Sequence, residues 1–430
     1  MKILIVSNSP WRSDNSFGNS FSNIFEGIPD LEIANIYCKY GKPQTKAATR
    51  FFQITEKSLI KNLLKGTPSG QEVEQDDTVA DTPDQGEAAF NKIKRHKSIP
   101  MYWARAMIWK IGRWKSKELI SFLDDFKPDL LFIPVYYSHY LHDINRFILK
   151  RYHIPALGYV SDDVYTLKQF SLSPFFWIDR LILRPKMKKV FSWCKTVYVI
   201  SETQRREYAA IFGDKFKVLT KCASFSDENK PAPKTPQKPL KLLYAGNVSH
   251  GRFLILSKLA SDIARQNGEM QKFELHVYTS TPLSEQQKAS LQIENSAYLH
   301  PPVSYAEILE IQKNSDILVH AEAFDLKERL ATHQSFSTKI VDYLSSNRCI
   351  LAIGSETCAS IQYFIENGCA AVAKTPSEIE TRLSELYASP SALQEYAEKA
   401  WQSGKAHHER TQMQKDLLCE LQNAVGEGNA

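Results

Sequence analysis

The feature that most constrains this chain is a rhythm that occurs twice. Apolar strand patterns alternate with helical ones in KILIV (2–6), PDLLFIPVYY (128–137), IPALGYVSDD (154–163) and KTVYVISE (195–202). The rhythm stops at SDENKPAPKTPQKP (226–239), a run of Pro and Lys with one alanine as its only apolar residue, which reads as a linker. It resumes in KLLYAG (241–246), FELHVYT (273–279), SDILVHAE (315–322), CILAIG (349–354) and AAVAK (370–374). Strands alternating with helices predict parallel sheets covered on both faces. The expected architecture is therefore α/β, with two Rossmann-like, doubly wound domains facing a cleft. The first spans 1–225 and the second 240–430, and the final helices (376–425) are free to pack on the second or cross back to the first.

Size and composition set outer limits. At 430 residues, 43% hydrophobic and 24% charged, the chain is an ordinary globular protein with room for two or three cores. A formal charge of +6 suits an anionic substrate, a membrane surface or nucleic acid, and selects none of them. Seven cysteines form no CxxC pair, which fits reduced thiols in a cytosolic protein. The N-terminal apolar run is too short for a signal peptide, and no stretch reaches the ~20 apolar residues of a membrane span. A cytoplasmic location is expected.

Two segments of the first half stand apart. Residues 66–89 carry seven acidic and no basic residues among Pro, Thr, Gly and Gln, and NKIKRHK follows, so 66–98 reads as a disordered insertion. Residues 101–123 turn helical. On one helix Trp103, Met107, Ile111 and Trp114 share an apolar stripe, with Lys110, Arg113 and Lys117 along one flank and Tyr102 and Trp109 just beyond it. Such a helix either packs its stripe in the core or lies on an anionic membrane face, and the aromatic residues beside the basic flank favour the membrane.

The stretch SFSTKIVDYLSSNRCILAIG (335–354) offers a chemical site. Ser337 is a candidate N-cap, Thr338 and Lys339 follow, Ile340, Tyr343 and Leu344 form an apolar stripe, and Asn347 can take the left-handed stop. A lysine at a helix mouth completes a phosphate site, or sits in solvent. In the first half, Gly18 and Asn19 lie in a loop after the first strand, where the backbone can approach a ligand, although GxGxxG is absent. Asp162 and Asp163 end a strand, where α/β sheets place ligands, and fit either an acid/base role or helix caps. His139 is a weaker candidate, and the adjacent His407 and His408 point different ways and make no metal site.

These residues resemble the GT-B fold glycosyltransferases, in particular family 4, the retaining sugar-nucleotide transferases. LLYAGNVSHGR (242–252) is similar to the opening of that family's second domain, and YVISE (198–202) with YAAIFGDKFKVL (208–219) to the segment closing the first. The stretch 335–354 looks like its donor-site helix. The chain departs from the pattern with Asn347 and Cys349 where Gly and Pro are frequent, and with Gln334 where the first of two acids spaced x7 stands.

The resemblance implies transfer of a sugar from a nucleotide-sugar donor, UDP or GDP type, to a glycan or lipid-linked acceptor in polysaccharide or glycoconjugate synthesis. Negative charge grows on the departing diphosphate and is met by fixed cations. Arg252, Lys258 and Lys339 fill that role here, with Asn247, Ser337 and Thr338 beside them, and no metal or other cofactor is implied. Asp342 suits the ribose hydroxyls. Glu322 is the nearest candidate to replace the missing acid beside the transferred sugar, and Asp162 or Asp163 would serve the acceptor. Nucleic acid is not an expected partner. A nucleotide-sugar epimerase of the same fold, or a non-catalytic nucleotide- or glycan-binding subunit of an assembly complex, are the alternatives.

Overall fold

The computed structural model describes residues 1–12, 14–75 and 99–426. The side chain of Tyr102 and most of the expected insertion lie outside these residues.

Two sheets carry the fold. The first contains β1 (Lys2–Ser7), β2 (Glu32–Tyr37), β3 (Arg50–Ile54), β4 (Gly70–Glu72), β5 (Leu130–Pro134), β6 (Ala156–Val160), β7 (Cys194–Val199) and β8 (Phe216–Val218), in the spatial order 4-3-2-1-5-6-7-8. The second contains β9 (Leu240–Ala245), β10 (Phe273–Tyr278), β11 (Ala297–His300), β12 (Ile317–Ala321), β13 (Cys349–Ile353) and β14 (Ala371–Ala373), in the order 11-10-9-12-13-14. Pairing is parallel throughout except between β3 and β4. In both sheets the order reverses beside the first strand of the half. β1 lies between β2 and β5, and β9 between β10 and β12. The crevices at the carboxyl ends of these strands are where such sheets bind ligands.

The central strands read as unbroken apolar runs because both faces are covered. Every residue of β5, β6, β12 and β13 is buried. Gly70–Glu72, inside the insertion expected from Gly66 onward, is an antiparallel edge strand, β4, which corrects that part of the expectation.

The chain crosses between the halves twice, once beside the linker and once at the last helix. Phe225 enters the core of the second half, with its ring 5.1 Å from that of Trp401. The last helix, Arg410–Gly426, returns and buries Leu417, Leu421 and Ala424 against the first sheet.

The helix expected over 101–123 is two helices, Ile99–Ile111 and Lys117–Phe126, broken around Gly112. A Cβ on Gly112 would lie 2.8 Å from the Ile108 carbonyl oxygen. The expected placement of Trp109 beside a lipid surface is overturned. Its ring is buried, stacks on Tyr140 at 4.2 Å, and donates its indole N–H to Glu56 at 2.8 Å. Trp114 is buried as well. What the helix Ile99–Ile111 leaves outside is Met101, Met107 and Ile111, with Lys110 beside them.

Candidate functional site

The crevice of the second sheet is built from the loops after β9 and β12. After β9 the backbone turns through Gly246 at φ +145°. Asn247 closes this turn on itself: its carbonyl accepts from the Tyr244 hydroxyl at 2.6 Å and its side-chain oxygen accepts from the Ser249 amide at 2.6 Å. The helix Arg252–Asn267 then starts with Arg252 directed across to β12. Its guanidinium donates to the Ala321 carbonyl at 3.1 Å and to both Glu322 carboxylate oxygens at 2.9 and 3.1 Å. Glu322 is 2% exposed and spends both oxygens on this contact, so it positions Arg252 and does not face a sugar. That corrects the expectation that Glu322 replaces the missing acid.

Lys339 reaches the same place from the next loop. Its ammonium lies over the Tyr244 ring at 5.7 Å and against Gly246, and no hydrogen bond or ion pair holds it among the described residues. Burial, with the Arg252 charge next, draws its pKa down to about 8. His320, buried beneath the same two cations, is pushed down to about 3 by desolvation first and by their charges second, and stays neutral. Two cations close enough that the charge of Arg252 disfavours that of Lys339, only one of them bonded to a carboxylate, form a site prepared for an anion.

The helix containing Lys339 starts at that residue and runs to Ser345. Ser337 precedes it without capping it, and Thr338 occupies the cap position with no side-chain cap bond. The stripe of Ile340, Tyr343 and Leu344 is buried, and Asn347 takes φ +53°, both as expected. Asp342 pairs with Lys221 of the first half at 2.6 Å and accepts from the Tyr305 hydroxyl at 2.9 Å, so Lys339 is not its ion-pair partner. Both contacts use Oδ1, and Oδ2 is left without a hydrogen bond among the described residues. Lys258 is not brought to the site: it pairs with the buried Asp262 one helical turn on, as does Arg265.

Across the cleft the adjacent aspartates separate. Asp163 accepts from the Tyr165 and Thr166 amides at 3.1 and 2.8 Å and from the Tyr208 hydroxyl at 3.1 Å. Arg180, buried, also donates to the Asp163 carbonyl at 2.6 Å. Asp163 therefore organises its own loop. Asp162 is free of such ties apart from the Ser161 hydroxyl at 3.4 Å, and lines two adjoining cavities of about 580 and 190 Å³. Its surroundings desolvate it, and Asp163 adds repulsion, so its carboxyl titrates above the ordinary carboxylate range.

Gly18 and Asn19 lie in the helix Ser16–Phe25, not in a loop. Gly18 is there for packing, because a Cβ would come within 2.0 Å of the Arg12 carbonyl oxygen. Its amide is capped by Asn15, and Asn19 is exposed. His139 stands 3.5 Å from Asp179 in the wall of the larger cavity. His408 is buried and bonded to Thr220 and Tyr363.

Sequence reasoning missed a clasp across the cleft. Glu207 of the first half accepts from Lys168 at 2.6 Å, from His333 at 2.7 Å and from the Gln334 amide at 2.6 Å. These bonds hold the Glu207 carboxyl near 2 against the opposing effect of burial, and Glu207 raises the His333 pKa. No local motif marks Glu207. Gln334, singled out only as a departure from the family pattern, is in this clasp.

No family model matches the chain, and no curated protein matches it. Solved structures do. The α,α-trehalose-phosphate synthase (UDP-forming) of Burkholderia xenovorans, in complex with glucose-6-phosphate, superposes with a TM-score of 0.58 at 9% identity, covering 98% of this chain and all of that one. WaaG, a glycosyltransferase involved in lipopolysaccharide biosynthesis, gives 0.55 at 9% identity over 97% and 98% of the two chains. Anabaena HepE in complex with UDP gives 0.61 at 10% identity over 98% and 100%. With 97 to 98% of the chain covered by such structures, the fold of this protein is the two-domain GT-B fold of glycosyltransferases.

Proposed function

We infer that this protein is a retaining glycosyltransferase that moves a sugar from a nucleoside-diphosphate donor to a glycan or lipid-linked acceptor. The observation that carries the reading is the half-buried pair Arg252 and Lys339: Glu322 is bonded to Arg252, Asp342 is bonded to Lys221, and Lys339 makes no hydrogen bond or ion pair among the described residues. Cations held in place before the reaction stabilise the charge that develops on a departing diphosphate without reorganising at that moment. Lys339 supplies an ammonium with free donors, Arg252 a guanidinium fixed by Glu322, and Asp342 Oδ2 an acceptor for a ribose hydroxyl. Asp162, in the wall of the facing cavity, orients the acceptor hydroxyl or takes its proton. The UDP held by HepE and the UDP-forming synthase favour uridine over guanosine as the base.

A peripheral contact with a bilayer is part of the same proposal. No helix among the described residues is long and apolar enough to cross a membrane. Three neighbouring helices, Glu56–Lys65, Ile99–Ile111 and Pro174–Trp193, nevertheless expose Leu64, Met107, Ile111, Ile178, Leu181 and Ile182. Exposed Lys57, Lys61, Lys65, Lys110, Lys188 and Lys189 lie among them. Apolar side chains within a basic field suit an anionic inner leaflet.

Thermal unfolding with UDP and with GDP tests the donor site. A ligand at 100 times its Kd stabilises by about 2.7 kcal/mol. A rise with UDP that is absent in Lys339→Met is expected, and no rise with either nucleotide would sink the reading. Donor incubated alone separates transfer from epimerisation, since only an epimerase changes the sugar without an acceptor.

A further inference from the structure

We propose that the acceptor is an amphiphile whose single apolar tail lies in the 580 Å³ cavity between the helices Ile99–Ile111 and Pro174–Trp193, with its reacting hydroxyl at Asp162. This deepens the acceptor half of the function proposed above and rests on it.

The cavity runs from Asp162 and Ala331 at the cleft to Ala106, Phe170 and Phe176 between those helices. Its size is that of a small-molecule site and its wall is mainly apolar. Most of the polar side chains in that wall are already held by neighbouring residues. Arg105 is paired with Glu56, and Asp179 accepts from the Trp103 indole at 2.8 Å with His139 3.5 Å away. Arg180 is spent on the loop carbonyls of Thr166 and Asp163, Gln169 on Tyr137, and Tyr140 on Asn8. A pocket for a sugar chain would present free donors and acceptors along its length, because a buried polar group left unpaired is costly. Among the described residues, the wall's polar groups left without a firm partner are the Asp162 carboxylate and the buried Ser138 hydroxyl toward the cleft, and Nη2 of Arg105 on the helix Ile99–Ile111.

The outer end continues into exposed apolar surface. Phe170 is 47% and Phe175 47% exposed, Met107 56%, and Leu172 88%. The edge-to-face contact of Trp103 with Phe175, centroids 5.9 Å apart, ties the two helices together beside this mouth. A tail entering from a bilayer would stay in apolar surroundings from the lipid to the cleft, whereas a soluble oligosaccharide would gain nothing from that rim.

The test is photolabelling with dodecyl glucoside carrying a diazirine in its chain, below its micelle concentration, followed by peptide mapping. Labelling of the segments that contain Ala106 and Phe170 to Phe176 is expected. Unlabelled dodecyl glucoside should compete at a concentration roughly tenfold or more below that of methyl glucoside, since each buried methylene favours binding. Ala106→Trp, which fills the cavity from one wall, should reduce the labelling; if that variant does not fold, the competition alone decides. Equal competition by the methyl and dodecyl compounds, label confined to the outer residues Ile178, Leu181 and Ile182, or labelling unaffected by a folded Ala106→Trp would each overturn the proposal. The UDP-induced rise in unfolding temperature is read on the same protein. If that rise is present and labelling fails, only the tail assignment falls; labelling without a UDP response leaves the cavity and removes the donor reading.

Discussion

The ammonium of Lys339 occupies the space where a side chain at Gly246 would begin: a Cβ built on Gly246 would lie 1.4 Å from the lysine Nζ. The glycine after β9 and the lysine ahead of β13 are thus one device, 93 residues apart in the chain. Gly246 turns the backbone at a φ open mainly to glycine, and the vacated volume holds a cation. Gly246→Ala should displace Lys339 and weaken UDP binding about as much as removing the lysine does. Calorimetric titration checks it, and wild-type affinity in a folded Gly246→Ala protein would separate the two residues.

Lys339→Met should cost roughly 1.5 to 3 kcal/mol of UDP affinity, the range for hydrogen bonds to charged groups. Its effect on unliganded stability should run the other way. With a folded pKa of about 8 against an ordinary 10.5, the unfolded state binds more protons between those values, so this lysine makes stability rise with pH across that window. The rise should vanish in Lys339→Met. In the native protein UDP affinity should fall as pH climbs through 8 and the ammonium is lost. Parallel melting and binding profiles from pH 7 to 10.5 measure both.

The adjacent aspartates should give opposite phenotypes. Asp162→Asn should lower turnover by roughly 10²- to 10⁴-fold with UDP binding nearly intact, and should remove an acid limb in kcat/KM lying above the ordinary carboxylate range. Asp163→Asn should instead lower the unfolding temperature, since it weakens the bonds from Tyr165, Thr166 and Tyr208. Equal loss of turnover in two equally stable variants would refute the division.

The clasp between Glu207 and His333 should be sensitive to pH. Glu207 raises the His333 pKa, so the stability this pair contributes is fully present below the ordinary histidine value of 6.5 and is lost as pH rises through the raised one. The melting temperature should therefore fall more between pH 6 and 8.5 in the native protein than in His333→Gln. Identical slopes would mean the clasp does not hold the halves together in solution.

Membrane docking should depend on the outer helical face. Each basic residue near an anionic surface is worth about 1 kcal/mol and is screened by salt. Flotation with anionic vesicles should show binding at low salt that fades at high salt. It should weaken further in the triple variant Lys61→Gln, Lys65→Gln, Lys110→Gln. Trp109→Phe should leave flotation unchanged and lower stability, because that ring is in the core.

The sequence by itself determined the strands at the centre of each sheet beside the crevices and the class of fold. Both faces of β5, β6, β12 and β13 are covered, so their apolar runs announce a parallel sheet without reference to any partner strand. The same reading passed over β2, β3, β4, β8 and β11, which are short or broken by polar residues such as Asn35 in β2 and Gln53 in β3. The basic residues of the second half were legible as a group, since Arg252 and Lys339 follow successive strands. Only the tertiary structure decided which of them acts together. Lys258 and Lys339 are equivalent as sequence, but one meets a buried aspartate a turn away while the other is left beside Arg252 with no ion pair among the described residues. Glu322 was visible as a strand-end acid, yet its partner lies 70 residues earlier, and that partner makes it a support for Arg252. Trp109 reads as the polar-flank neighbour of a lone helix, and the helix Glu56–Lys65 makes it core. Periodicity reports which residues share a face; it does not report what that face meets, and the chemistry of a charged or aromatic side chain is set by what it meets.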